Sequence, residues 1–138
     1  MAGLNLSGFT TEVIAAMTTT QVQSWTTDQV VSLTTAQIAV MTTAQVVALG
    51  TEQIAALITA QVEVVRSTAM AVLSTEQVAA FETEDIAAMR TSQIAALSTS
   101  GVAALTTDQV VALNTAQVRA VTTAGIAAMT SEQVAALE

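Results

Sequence analysis

From Phe9 onward the chain repeats itself every eight residues, and eight is a period that a straight helix cannot keep on one face. The unit reads approximately T-T-x-Q-V-A-A-L, as in Thr34 to Met41, Thr106 to Leu113 and Thr130 to Leu137. At about 100° per residue, eight residues turn the pattern through about 800°, a drift of about 80° per repeat. After about five repeats the apolar stripe would have wrapped around the whole helix, where no single partner could bury it. A chain this uniform has to break its helix once per unit.

Two apolar columns define what each unit buries. The larger side chains run Phe9, Met17, Trp25, Leu33, Met41, Leu49, Leu57, Val65, Leu73, Phe81, Met89, Leu97, Leu105, Leu113, Val121, Met129 and Leu137, without a polar exception. Three residues before each stands a second column, from Ile14, Val22 and Val30 to Val118, Ile126 and Val134. An i, i+3 pair shares one face of a helix. Between the two, the first position accepts Gln23, Glu63 and Arg119, which predicts partial exposure. The second holds small residues or valine (Ala16, Ser24, Val40, Ala56, Ala136), as close approach of a neighbouring element requires. By its place in the larger column Trp25 is a core residue, and Met17, Met41, Met89 and Met129 are flexible packing rather than haem or copper ligands.

The break falls at a hydroxyl column: Thr11, Thr19, Thr27, Thr35 and so on to Thr123 and Ser131. A hydroxyl before a short helical run accepts an orphan N–H of the first turn, worth about 0.5–2 kcal/mol. Two registers compete for the cap. If the preceding residue caps, Thr34-Thr35-Ala36-Gln37 is a capping box in which glutamine reaches back to the cap N–H. That register places Ile58, Arg66, Glu82 and Arg90 at the cap, where none caps well, so caps at Thr35, Thr59 and Thr83 are the favoured expectation. Acidic residues such as Glu12, Asp28, Glu52 and Glu76 follow the hydroxyl, at a helix start; Arg66 and Arg90 are expected near helix ends.

Each unit is then a helix of about five to seven residues, far below the length at which a helix is stable alone in water. Stacking has to supply the stability. The predicted fold is an all-α solenoid or superhelix of very short capped helices, one per repeat, with two units per superhelical turn. Residues 1–138 form a single octapeptide-repeat solenoid whose abrupt start and stop predict a piece of a longer array. A β-solenoid is the alternative, since Thr, Val and Ile columns permit strands. Abundant alanine and the i, i+3 spacing favour helices.

Histidine, cysteine, lysine and tyrosine are all absent, which removes a Ser-His-acid arrangement, the usual zinc ligands, a Schiff-base lysine and a tyrosine acid together. No catalytic, cofactor-binding or metal site is predicted, and the chain is expected not to be an enzyme. Glu82, Glu84 and Asp85 are read as a solvated charge run at one helix start. Calcium needs six to eight oxygens, and most repeats carry one acid or none, so at best a weak surface site could form near Glu82 and Asp85. A formal charge of −8, with only Arg66, Arg90 and Arg119 as cations, argues against nucleic acid as a partner. No apolar run approaches the roughly 18 residues of a membrane span.

The strings Thr51 to Leu57, Thr75 to Phe81, Thr91 to Leu97 and Thr107 to Leu113 follow T-x-Q-V/I-A-A-L, the last with Val111 for the first alanine. In this they resemble octapeptide repeat tracts of large bacterial exported or surface proteins, some described as adhesin-like or haem-utilisation-like. The resemblance implies a structural spacer or scaffold on a secreted or cell-surface protein, with the cytoplasm as the other location. Haem does not carry over, because the usual His or Cys ligand is missing. The partners expected are neighbouring repeats of the same parent chain, with end-to-end or lateral self-association. The alternative function is a binding module whose repetitive face takes a polysaccharide, another copy or ice, the last through the threonine ladder.

Overall fold

The structure, a computed structural model, describes residues 5–137. A short 3-10 turn at Leu6–Gly8 opens it, followed by α1 (Thr11–Ala16), α2 (Thr19–Gln23), α3 (Thr27–Ser32), α4 (Thr35–Ala39) and α5 (Thr43–Val47). Next come α6 (Thr51–Ala56), α7 (Thr59–Glu63), α8 (Ser67–Met70), α9 (Thr75–Ala80), α10 (Thr83–Ala88) and α11 (Thr91–Ala96). The array ends with α12 (Thr99–Ala104), α13 (Thr107–Ala112), α14 (Thr115–Ala120), α15 (Thr123–Ala128) and α16 (Ser131–Ala136). Every unit contributes one helix, and no strand occurs among the described residues, which rejects the β-solenoid.

The helices are interrupted by two successive extended residues. In the unit ending at Leu33, the large apolar residue is the C-cap (φ −63°, ψ 137°) and its N–H still donates to the Val30 carbonyl at 3.1 Å. Thr34 follows in extended conformation (φ −78°, ψ 162°) and is already the N-cap of α4. The cap is therefore one residue earlier than Thr35, Thr59 and Thr83, and the capping-box register is the one the chain adopts. The positions that argued against it, Ile58, Arg66, Glu82 and Arg90, do occupy the cap without a side-chain cap bond. Glutamine explains their tolerance: Gln61 Oε1 accepts from Ile58 N–H at 3.0 Å and Gln93 Oε1 from Arg90 N–H at 2.8 Å, so half of the box survives without a hydroxyl. The other half survives alone at Ser98 and Thr122, whose hydroxyls accept from Gly101 N–H and Gly125 N–H at 3.0 Å. Arg66 and Glu82 have neither, since residues 69 and 85 are Ala and Asp, and the α8 that Arg66 opens is only four residues long.

Each helix packs on the third one after it: α1 on α4, α2 on α5, α3 on α6, and so on to α13 on α16. Three units therefore make one turn, not two. A helix of five or six residues gains too little alone, so its apolar pair must be covered by the turn that follows. Ile14, Val30, Ile54 and Ile86 are fully buried, and most of the larger column, from Trp25 to Leu105, lies in the same core. Each such burial stabilises by roughly 1.5–3 kcal/mol, repeated along the array. The core columns run out at the far end, where Ile126 and Val134 are 43% and 51% exposed. Of the positions between the columns, Gln23 and Arg119 are exposed and Glu63, Val40, Ala56 and Ala136 half-buried, as expected, whereas Ala16 and Ser24, near the start of the array, are exposed rather than closely approached.

Arg66 and Arg90 stand at helix starts of their own units, contrary to the expectation from charge. Stacking restores the logic for Arg66, whose Nε donates to the carbonyl of Ala39, the last residue of α4 in the preceding turn, at 2.9 Å. The helix end it serves is that of α4, on which α7, the helix just before Arg66, stacks.

Candidate functional site: a buried glutamine ladder

The fourth position of the unit is polar and lies inside the structure. Gln37, Gln45, Gln61, Gln93, Gln109 and Gln117 are each 1–2% exposed. In a corner of two extended residues the carbonyl of the large apolar residue has no backbone partner, while the carbonyl three residues before it accepts only the N–H of that residue, and buried carbonyls need partners. The glutamine of a later unit supplies them. Gln45 Nε2 donates to the Ile14 and Met17 carbonyls at 2.8 Å each, 31 and 28 residues earlier. Gln61 does the same to Val30 and Leu33 at 2.9 and 2.8 Å, and Gln117 to Ile86 and Met89 at 2.8 Å each.

The same side chain closes its own corner. Gln45 Oε1 accepts from Thr42 N–H at 2.9 Å, while Gln45 N–H donates to Thr42 Oγ1 at 3.2 Å. One amide thus caps its helix with its oxygen and cross-links to the preceding turn with its nitrogen. Only a neutral side chain that accepts and donates at once can do both; a glutamate lacks the donor and a leucine lacks both. Sequence reasoning found the first half, the reach-back to the cap, and missed the second. The available signal was the recurrence of glutamine in most units, with mainly small or apolar residues (Val13, Ala69, Gly101, Gly125) where it is missing, since an exposed residue of a helix start would vary more freely among polar types.

Cavities accompany the departures from the repeat. Where Gly50 replaces the cap hydroxyl, about 460 Å³ opens beside Trp25, Gln23 and Glu52. Trp25 is core, as its column predicts, but its indole N–H is buried without a hydrogen-bond partner. A space of about 360 Å³ lies between Arg66 and Arg90 on adjacent turns, and one of about 290 Å³ beside Ile58, Glu82, Glu84 and Asp85.

Asp85 overturns the reading of its neighbourhood as a solvated charge run. It occupies the glutamine position of α10 and is 3% exposed, with Oδ2 lacking a hydrogen-bond partner, whereas Glu82 and Glu84 stay exposed. Burial, and then the charges of Glu82 and Glu84, raise its pKa from 3.8 to about 6. Among the described residues no group of three His, Cys, Asp or Glu side chains could hold a metal ion, and no helix is long and apolar enough to cross a membrane. In the hydroxyl column outside the caps, Thr35, Thr59 and Thr107 on α4, α7 and α13 face solvent, while Thr83 on α10 between them is half-buried.

The profile of a family described as the ALTTAQ repeat matches residues 30–59, 78–115 and 110–138, roughly two thirds of the chain. No curated protein and no solved structure matches it.

Proposed function

This chain belongs to the ALTTAQ repeat family, found in large bacterial surface and exported proteins, and from that premise we propose that it is a non-enzymatic spacer or scaffold segment of such a protein. The observation that carries the reading is the glutamine ladder. In most units it uses the buried polar group to join one turn to the turn before it, and among the described residues no group of three His, Cys, Asp or Glu side chains converges. A solenoid held by nearest-turn contacts can be lengthened unit by unit without changing its cross-section. With packed helices roughly 8–10 Å apart, each three-unit turn adds about that much length. The segment therefore sets a distance and a direction for whatever it is joined to.

Self-association is the second reading: unit-on-unit packing repeats regularly along the array, and contact of the same kind would join one copy to another. Small-angle scattering separates the two readings. A spacer gives a rod of constant cross-section, whose length is independent of concentration and grows when whole turns are inserted. A compact particle whose radius is insensitive to inserted turns would contradict it, and lengthening with concentration alone would favour assembly.

A further inference from the structure

Asp85 departs from the repeat at the position that joins turns, and it does so with a group that can gain or lose its donor. By the register of the ladder, residue 85 stands over the Ile54 and Leu57 carbonyls, as Gln61 stands over Val30 and Leu33 and Gln117 over Ile86 and Met89. An ionised aspartate has only acceptors to offer two carbonyls, and its side chain is one methylene shorter than glutamine. The structure shows the consequences. Oδ2 is buried without a partner, Glu82 at the cap receives no side-chain bond, and the space of about 290 Å³ lined by Leu57, Ile58, Thr59, Glu82, Glu84 and Asp85 lies at this corner.

We propose that Asp85 is a proton-operated joint in the ladder: as the neutral acid it donates toward the carbonyls of the α6–α7 corner and tightens α10 onto α7, and as the carboxylate it loosens that one contact. The carboxylic acid has an O–H donor, and the space beside it has room for a bridging water where the shorter side chain does not reach. The ionised form has no donor and sits under two like charges. Glu82 and Glu84 flank it on its own element; of the helices packed against α10, α7 brings only Glu63 and α13 only Asp108, so no cation faces it from either side. The raised pKa, about 6 against 3.8 for a free aspartate, agrees in direction.

The sign of the pH effect follows. A group whose pKa is higher in the folded state favours folding most fully below its unfolded value, and that contribution is lost as pH rises through the folded one. The joint is therefore tight in mild acid and loosened between about pH 4 and pH 6, by roughly 100-fold in the local equilibrium for a two-unit shift. At most other corners a glutamine makes the same link independently of pH, and where Val13, Ala69, Gly101 or Gly125 stands instead there is no group to titrate. One turn of an otherwise uniform spacer would then bend or open more readily at neutral pH than in acid.

Hydrogen exchange at the α10 backbone amides of the full chain, followed from pH 4.5 to 7.5 and corrected for intrinsic rates, tests this against Asp85→Asn and Glu84→Gln. Asn keeps the size of aspartate and carries a donor at every pH. In the wild type, α10 protection should fall as pH rises from 4.5 to about 6 and level off above that; in Asp85→Asn it should stay flat, exceeding wild type most at pH 7.5 and least at pH 4.5. Glu84→Gln should keep the transition and move its midpoint down. A carboxyl carbon titration of Asp85 should place the midpoint well above that of the exposed acids. A midpoint near 4, or Asp85→Asn no better protected than wild type at pH 7.5, would overturn the proposal. So would full recovery of wild-type protection at pH 7.5 on adding calcium ions, which would make the corner a cation site instead.

Discussion

The side-chain amide of Gln61 donates to the main-chain carbonyl of Leu33, 28 residues earlier, at 2.8 Å, and the same amide's oxygen accepts from Ile58 N–H at 3.0 Å. Two corners of successive turns are held by one buried group. It also donates to the carbonyls of Val30 at 2.9 Å and Val31 at 3.2 Å.

Replacing that amide with an apolar side chain of similar size is the harshest single test of the ladder. Gln61→Met keeps the volume but strands the Leu33 carbonyl and the Ile58 N–H and leaves the Val30 carbonyl only the Leu33 N–H, and each buried group left without a partner costs about 1–3 kcal/mol. A loss of roughly 2–5 kcal/mol is expected in denaturant unfolding. An exposed control, Gln23→Met, should change stability by less than about 0.5 kcal/mol.

The cap register predicts gains as well as losses. Ile58 is an N-cap with no cap hydroxyl and a side chain 49% exposed, so Ile58→Thr should add the missing half of the box and about 0.5–2 kcal/mol. Thr59→Ala one residue later, within the first turn, should cost little. Caps on Thr59 would reverse the two results, and thermal unfolding of both variants distinguishes them.

Glycine replaces the ladder glutamine at positions 101 and 125, stacked on adjacent turns, and the two should respond differently. A Cβ at Gly101 meets Ser98 Oγ at 3.3 Å and nothing else closer than 3.6 Å, so Gly101→Gln should restore the ladder bonds and remove a helix glycine that costs about 0.5–1 kcal/mol. At Gly125 the Cβ meets Val121 Cγ1 at 3.0 Å and Val102 Cγ2 at 3.1 Å, both from branched core side chains. Gly125→Gln should therefore gain clearly less, or lose. Melting temperatures of the two variants side by side check the order.

If the ends do associate, the open apolar columns should carry it. Val134→Lys places a charge among residues that are core elsewhere in the array, and should abolish any concentration-dependent growth seen by analytical ultracentrifugation. Val111→Lys, on a position 67% exposed between the columns, should leave it unchanged.

Much of this was legible from the period alone. Eight residues force a break, and the two apolar columns, from Ile14 to Val110 and from Trp25 to Leu105, are the core the structure has. The cap was misplaced by one residue because Ile58, Arg66, Glu82 and Arg90 were judged as hydroxyl substitutes, whereas Gln61 and Gln93 hold their corners from the other side. Three units per turn could not be derived from one unit, since that number depends on the angle at each corner. Substitutions spaced by three units hint at it: Arg66 with Arg90, and Gly101 with Gly125. Asp85 looked like a surface acid because its neighbours Glu82 and Glu84 are; only its place in the glutamine column marked it as interior.

The turn of three units held by the ladder is tested most directly by a pair of distances on the full chain. Spin labels at Thr35 and Thr59 lie on stacked helices α4 and α7, three units apart, while labels at Thr35 and Thr51 lie two units apart on α4 and α6, which are not stacked. The Thr35–Thr59 pair should give the shorter and narrower distance distribution, close to the spacing of packed helices, and Gln61→Met should broaden it. A shorter distance for Thr35–Thr51 would contradict the three-unit turn and the ladder built on it.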